Sequence, residues 1–314
     1  MDISAHQTAL VELLARLAEH RYSFVTVTPA THRRILARRG NAPARSLRDV
    51  FGWSLPFAPE VIPPDLVDAL AAAGLLLGEA PQLRSVVRVS TVRGRNYLHS
   101  RFPTEAEDAV FLGPDSYRFA NLIADELARV PLAPGSRIVD IGTGAGVGAM
   151  VAAELCDGCE AMGTDVNGAA LRLARANAAA AGVTLDLIET NALDGVPGDF
   201  DLALLNPPYM ADEGGRAYRD GGGMHGGQLS VDLAETVLPR LRPGGRLVLY
   251  TGSAIVDGAD RMETCLRELA GAHGCALRYR ELDPDVFGED LLKPHYAGVE
   301  RIAVVSAVFT RPGV

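Results

Sequence analysis

Four residues that follow an apolar segment, Asn206, Pro207, Pro208 and Tyr209, are of types that can hold a planar nitrogen. Neither proline has an N–H group, so this corner offers acceptors, namely the side-chain oxygen of Asn206 and the carbonyl oxygen of Pro207. Two acceptors in one plane suit an –NH2 group, and Tyr209 adds a flat ring for stacking. We predict that these four residues hold an amide or a base amine toward an electrophile, without a strong base. A strand simply ended by prolines is the alternative.

A glycine-rich loop, VDIGTGAGVGAM (139–150), lies between a predicted strand and a predicted helix, which is the setting of a nucleotide-binding loop. Gly142, Gly144 and Gly146 allow a tight turn and a close approach of the backbone to a ligand. Counted from Gly142, the loop departs from GxGxxG. A shifted match that ends at Ala149 leaves a nicotinamide cofactor as one alternative. A structural glycine turn that binds no ligand is the other.

Two further positions suggest that the ligand contains adenosine. Asp165, followed by Val166, ends the next predicted strand, where a carboxylate accepts both hydroxyl groups of a ribose. The alternative for Asp165 is a helix N-cap. Asn191 and Ala192 end the third strand, where an amide side chain and a backbone N–H group would meet an adenine edge, although Asn is also common in turns.

The second part of the chain alternates between strands and helices, which predicts a parallel sheet covered on both faces. The last two predicted strands would form an antiparallel hairpin at one edge. The predicted strands are 137–142, 161–166, 185–190, 200–206, 246–252, 276–282 and 301–310, and the predicted helices are 117–130, 146–155, 168–182, 229–245 and 257–273.

The first third of the chain has a different pattern. Helices are predicted at 8–20, 29–41 and 63–80, with Thr31 as an N-cap and Gly40 as a stop, and 83–101 reads as two strands that turn near Arg93-Gly94. Helices before a β-hairpin resemble a winged-helix module. We therefore predict a front domain over 1–104, for substrate recognition or dimerisation, and a catalytic domain over 105–314.

Composition narrows the class of protein. Hydrophobic residues make up 48% of the 314, a globular composition, and no apolar run reaches the roughly 18 residues of a membrane span. The first 105 residues hold 13 arginines and 9 acids, whereas the remainder is acidic, which argues against a strong binder of free DNA.

Without a signal sequence we expect a cytoplasmic protein. The lone CxxC at Cys156 and Cys159 lacks a second pair, so we expect reduced thiols and no metal ion.

Three motifs together resemble a known family. VDIGTGAGVG (139–148), GTDVN (163–167) and NPPY (206–209) are similar, in order and spacing, to class I S-adenosylmethionine-dependent methyltransferases of the NPPY type, over about residues 105–312. The resemblance implies a Rossmann-like α/β fold with S-adenosylmethionine as cofactor. Its implied cofactor-binding residues are Asp140, Gly142, Thr143, Gly144, Ala145, Gly146, Asp165, Val166, Asn191, Ala192 and Asn206, and its acceptor-binding residues are Asn206, Pro207, Pro208 and Tyr209.

The segment 219–245 narrows the resemblance to HemK-like protein-glutamine methyltransferases and related ribosomal-RNA guanine enzymes. A glutamine amide in a protein is therefore the first expected acceptor, an exocyclic amine of an RNA or DNA base the second, and a small-molecule amine or amide the third. The loop 282–296 is either a lid that carries Phe287 and Tyr296 or a plain connection. We expect neither His225 nor His295 to be catalytic.

Two alternatives come from other functional classes. A nicotinamide-dependent oxidoreductase would treat the corner at 206–209 as a mere turn. A winged-helix binding module would use the cofactor as a ligand and bind nucleic acid through the arginines of one short helix, which are Arg33, Arg34, Arg38 and Arg39. The alternative for these arginines is a solvated helix face, on which they would bind no partner.

Overall fold

The computed structural model describes residues 3–40, 42–211 and 219–313. It divides the chain into two compact units. The first comprises Met1–Asn121, Gly144–Met150 and Asn167–Leu185, and the second comprises Leu122–Thr143, Val151–Val166 and Asp186–Val314. The domain boundary at 104/105 stays a prediction. None of the helices in the described ranges is both long and apolar enough to cross a membrane.

The first unit is built from helices and two small antiparallel strand pairs, β1 with β2 and β3 with β4. Its elements are α1 (Ile3–Glu19), α2 (Pro29–Arg39), α3 (Pro64–Ala72), β1 (Leu76–Leu77), β2 (Arg84–Ser85), β3 (Val87–Val92), β4 (Arg95–Ser100) and α6 (Gly168–Ala181). Leu10, Leu13 and Leu17 are fully buried at helical spacing and share one core with Ala176 of α6. The predicted turn at Arg93-Gly94 is present, with positive φ at both residues.

Three predicted helix ends in this unit are wrong, the first being the start of α1, which lies at Ile3 and not at residue 8. The N-cap of α2 is Thr28, whose hydroxyl accepts from the Thr31 N–H at 3.1 Å, because Pro29 already occupies the first helical position. Helix α3 ends at Ala72 instead of continuing to residue 80, since Gly74 has a left-handed φ of 65°. The apolar residues that follow form strand β1. Gly40 ends α2 as predicted.

The second unit is organised around one sheet with the strand order β11-β12-β9-β8-β5-β6-β7. Strands β9, β8, β5, β6 and β7 are parallel neighbours, and β12 is antiparallel to both β9 and β11. The predicted fold class, a mostly parallel sheet with an antiparallel C-terminal edge hairpin, is confirmed. The strands are β5 (Arg137–Ile141), β6 (Glu160–Asp165), β7 (Asp186–Glu189), β8 (Phe200–Leu205), β9 (Leu241–Val256), β10 (Ala259–Asp260), β11 (Ala276–Asp283) and β12 (Val299–Thr310).

Four helices follow the predicted alternation, but two of their bounds differ from the prediction by four residues or more. They are α4 (Pro114–Arg129), α5 (Val147–Glu154), α7 (Gln228–Val237) and α8 (Arg261–Ala272). Helix α7 ends eight residues early, since Pro239 cannot continue the backbone ladder, and β9 already begins at Leu241. Helix α8 begins after Asp260, whose carboxylate accepts from the Glu263 N–H at 3.0 Å.

One buried polar cluster of the second unit bears on stability. Glu126 of α4 is 3% exposed and accepts hydrogen bonds from Arg246, itself 3% exposed, and from Arg278 and Arg129. Cys156 and Cys159 are joined in a disulfide, so the expectation of two reduced thiols is wrong for this pair.

Candidate active site

The parallel strands of the second unit bring the predicted site residues to one edge of the sheet. Ile141 pairs with Thr164 and with Leu205, and Asp165 pairs with Glu189, so the strands β5, β6, β7 and β8 end nearly level. The segments that follow them therefore leave the sheet side by side. They are Gly142-Thr143 after β5, Val166 after β6, Asn191-Ala192 just beyond β7, and Asn206–Tyr209 after β8.

The first of these segments is anchored by a buried polar contact. The Thr143 hydroxyl donates to Asp140 Oδ2 at 2.7 Å, and the Thr143 N–H donates to the carbonyl oxygen of Thr164 at 2.9 Å. Asp140 is 2% exposed. A β-carbon on Gly163 would lie 2.8 Å from Thr143 Cγ2, so the glycine of GTDVN makes room for this threonine. The sequence predicted Asp140 and Thr143 as site residues, but not this contact.

The glycines at the start of the loop have the conformation expected of a ligand-binding turn. Gly142 has a φ of 68° and Gly144 a φ of 55°, which L-residues with a side chain rarely adopt. Nothing lies within 4 Å of a β-carbon built on either glycine. Open space beside backbone that only glycine readily adopts fits a cofactor approaching these positions closely.

Within the first unit, the rest of the loop is fixed by helix α6. A β-carbon on Gly146 would lie 3.2 Å from that of Ala174, so the third glycine serves close packing. The Asn177 side chain donates to the Ala145 carbonyl at 2.9 Å and accepts from the Leu98 N–H at 2.8 Å. Asn177 is fully buried and was missed by the sequence analysis, although a lone Asn on the buried face of an alanine-rich helix is a usable signal.

Asp165 is not the cap of the following helix. The N-cap of α6 is Asn167, whose side chain accepts from the Ala169 N–H at 2.9 Å, so the capping alternative for Asp165 is wrong. Asp165 is partly buried, whereas Val166 is 59% exposed. The Asp165 carbonyl accepts from the Thr190 N–H at 3.0 Å, which ties the end of β6 to the segment that carries Asn191.

The Asn206–Tyr209 corner presents its acceptors and fixes its ring. Asn206 is partly buried, and within the described parts of the chain no hydrogen bond engages its side chain or the Pro207 carbonyl. The Tyr209 ring is 7% exposed and lies between Tyr250 and Phe287, at centroid distances of 6.4 and 6.2 Å. A β-carbon on Gly252 of β9 would come within 2.3 Å of Tyr209 Cδ2.

The backbone beyond the corner is held by the glycine-rich segment that starts at Arg219. The Met210 N–H donates to the Arg219 carbonyl at 3.2 Å, and the Gly221 N–H donates to the Met210 carbonyl at 2.9 Å. Gly226, with a φ of 101°, lies so close that a β-carbon there would be 2.5 Å from the Met210 carbonyl carbon. Residues 212–218 lie outside the described part.

The loop between β11 and β12 covers this corner. Besides Phe287, it contributes Tyr296, whose hydroxyl accepts from the Ala211 N–H at 2.9 Å. Arg219 Nη2 donates to Asp290 Oδ2 of the same loop at 2.7 Å. Both aromatic residues named for a lid thus contact the segment that follows β8, so the loop is more than a plain connection.

His225 is tied to this loop as well. Its Nδ1 lies 2.8 Å from the carbonyl oxygen of His295, and because a carbonyl only accepts, Nδ1 carries the proton. The ring stacks on Tyr296 at a centroid distance of 6.3 Å. These contacts give His225 a role in holding the loop, and the expectation that it is not catalytic stays a prediction.

Comparison with known proteins agrees with this fold. Residues 120–256 match the model of the methyltransferase small domain. The chain is 34% identical over 145 residues to the release factor glutamine methyltransferase of Deinococcus radiodurans, covering 46% of this chain and 50% of that protein. It is 29% identical over 185 residues to the ribosomal RNA small subunit methyltransferase C of Serratia proteamaculans, covering 52% and 49%.

A solved structure extends the likeness of fold. Wild-type Trm5b from Pyrococcus abyssi superposes with a TM-score of 0.50 at 13% identity, over 75% of this chain and 62% of that one.

The chain spans about half the length of the two curated relatives above. The matches leave the nicotinamide cofactor without support. Residues 120–256 form a class I S-adenosylmethionine-dependent methyltransferase domain, similar to those of HemK-like enzymes.

Proposed function

We propose that this protein is an N-methyltransferase whose acceptor is the side-chain amide of a glutamine in another protein. The observation that carries the proposal is the uncommitted pair of acceptors, the Asn206 side chain and the Pro207 carbonyl, beside the fixed ring of Tyr209. A glutamine amide brings two N–H donors in one plane, which this pair can accept. Its flat surface can stack on the tyrosine ring.

Each group of residues has its own task in this proposal. Gly142, Thr143 and the glycines that follow bind the methionine end of the cofactor, and Asp165 accepts the ribose hydroxyl groups. When bound, the cofactor supplies an electrophilic methyl group. The acceptors of Asn206 and Pro207 orient the amide nitrogen and stabilise the positive charge that it gains as it attacks. The proton then leaves to water, so that no strong base is needed.

A base amine in RNA is the second candidate, and it has observations of its own. Arg33, Arg34 and Arg38 of α2 are exposed and make no ion pair within the described parts of the chain. Unpaired guanidinium groups on one helix suit a phosphate backbone. One of the relatives is named for ribosomal RNA. The glutamine amide comes first because segment 219–245 resembles that of the HemK-like enzymes, and several relatives are named for glutamine methylation.

Incubation with S-adenosylmethionine labelled in its methyl group tests the proposal. The labelled cofactor is added to purified enzyme and a cell extract, which is then separated into protein, RNA and small molecules. We expect the label in a protein band. Proteolysis without an acid step, followed by mass spectrometry, should locate the label on a glutamine amide. Label in an RNA base would support the second candidate, and label in neither fraction would contradict both.

A further inference from the structure

The first unit contains a cleft of about 630 Å³ between α1 and α6, called here the α1–α6 cleft. Its lining includes Ser4, Gln7, Thr8 and Val11 of α1 and Arg172 and Arg175 of α6. The four α1 residues follow helical spacing and therefore share one face, as do the two arginines three positions apart. The volume is in the range of small-molecule binding sites.

The charge of the cleft is positive and uncompensated. Arg172 and Arg175 are the only ionisable residues of α6, both are exposed, and neither makes an ion pair with any described residue. The nearest acid of α1 in sequence, Glu12, is paired with Arg16. Arg172 and Arg175 carry like charges three residues apart and therefore repel each other. This positive pair occurs in a protein whose net charge is −9. An anion between them would remove this repulsion.

A buried donor group belongs to one of the residues that line the cleft. The side-chain nitrogen Gln7 Nε2 is buried, and no group of the described residues hydrogen-bonds to it, although Gln7 lines the cleft. An unsatisfied buried donor is unfavourable, so a ligand that brings an acceptor oxygen to it would be stabilised. This observation is independent of the two arginines and calls for the same kind of ligand. His6 adds another polar group to the lining.

We propose that the α1–α6 cleft binds the phosphate group of a nucleotide, supplied by a strand of RNA or by a free nucleotide. Phosphate oxygens match the planar forks of Arg172 and Arg175, which bind them in a bidentate way. When the Gln7 side chain turns toward the cleft, its Nε2 donates to one further oxygen. The apolar side chain of Val11, which lines the cleft, would contact the part of the nucleotide beyond the phosphate. This proposal does not depend on which acceptor is methylated.

Fluorescence anisotropy with a labelled ten-nucleotide oligouridylate, and calorimetry with uridine monophosphate, test the proposal on the full chain. The variant Arg172→Gln/Arg175→Gln removes both guanidinium groups, and Gln7→Glu places a carboxylate in the cleft. The matched control is Arg21→Gln/Arg45→Gln, which removes two exposed charges from loops of the same unit. Circular dichroism confirms that each variant is folded.

We expect both cleft variants to weaken binding of one probe roughly tenfold or more, since each disturbs charge-assisted hydrogen bonds to the phosphate. For the oligonucleotide, the slope of log K against log salt should fall by about 0.7 for each phosphate that the variant no longer neutralises. The loop control, Arg21→Gln/Arg45→Gln, should change binding less than about threefold. Weaker binding of the oligonucleotide alone identifies a strand, and weaker binding of the monophosphate identifies a free nucleotide.

Three results would overturn the proposal. They are the failure of the unmodified protein to bind either probe, equal affinity in the cleft variants, and an equal or larger decrease of affinity in the loop control. The last result would assign the phosphate binding to the charge of the unit as a whole, and not to the cleft.

Discussion

The ring of Tyr209 fills the space that a side chain at position 252 would need, since a β-carbon on Gly252 would lie only 2.3 Å from Tyr209 Cδ2. Strand β9 thus sets the position of the ring that we expect to face the acceptor. Gly252 does not have a positive φ, so this close approach explains the glycine, and backbone conformation does not.

Replacement of Gly252 by Ala should therefore displace Tyr209 and lower kcat/KM for methyl transfer by roughly 10- to 100-fold, because small misplacements at a reacting centre have large effects. Cofactor affinity should stay within about threefold, a free-energy change below about 1 kcal/mol. The matched control is Gly271→Ala in α8, where nothing lies within 4 Å of the new β-carbon. Steady-state kinetics and calorimetry check the pair. Equal kinetics in both variants would show that the Tyr209 position does not matter.

Phe287 tests whether the loop between β11 and β12 helps to bind the acceptor. Its ring lies 6.2 Å from that of Tyr209, and aromatic pairs contribute about 0.5–1.5 kcal/mol. Phe287→Ala should raise KM for the acceptor roughly 2- to 12-fold and leave the cofactor Kd unchanged. Leu292→Ala, on the same loop but with a side chain 91% exposed, is the control and should behave like the unmodified enzyme. An unaltered KM in Phe287→Ala would remove the loop from the acceptor site.

Glu126 tests the buried ion pairs of the second unit. Burial alone would raise the pKa of Glu126, but hydrogen bonds from Arg129 and Arg246 and the charge of Arg278 lower it. Glu126→Gln leaves Arg246 buried without an anion and should reduce the free energy of unfolding by about 3–5 kcal/mol. Glu263→Gln, which breaks the exposed pair with Arg267, should cost less than about 1 kcal/mol. Urea denaturation compares the two, and similar decreases in stability would contradict this account.

The first unit should lose stability in mild acid through two buried histidines. Burial, together with the charge of Arg88, lowers the pKa of His32 to about 4 and lowers that of His99 as well. Both histidines take up a proton more readily in the unfolded chain, where the pKa has its ordinary value near about 6.5. Stability is therefore complete above about pH 6.5 and falls as the pH decreases toward about 4.

Urea midpoints between about pH 7.5 and 4.5 measure this dependence. His32→Phe should flatten the decrease between about pH 6.5 and 4.5, while His273→Gln, which keeps both buried histidines, should show the full decrease. A midpoint that stays constant over this range in the unmodified protein would exclude the buried neutral histidines as a source of acid sensitivity.

The parts of the site that sequence reveals are those encoded by local chemistry. The corner at Asn206–Tyr209, the glycine loop and Asp165 are recognisable because strand periodicity and residue type place them at strand ends. The Tyr209–Gly252 and Tyr209–Phe287 contacts join residues far apart in sequence. They depend on the register of β9 and on the path of one loop, which no local pattern encodes. Helix α3 was predicted too long because apolar residues continue into β1, and only Gly74 marks its end.

Asn206 provides the most direct test of the central claim, which is that its side chain holds the acceptor nitrogen. In Asn206→Ala, calorimetry should find the Kd for S-adenosylmethionine within about threefold of the unmodified value, while methyl transfer falls roughly 100-fold or more. Asp165→Ala is the counterpart and should lose cofactor binding itself. Undiminished transfer by Asn206→Ala, with the cofactor bound normally, would contradict the account.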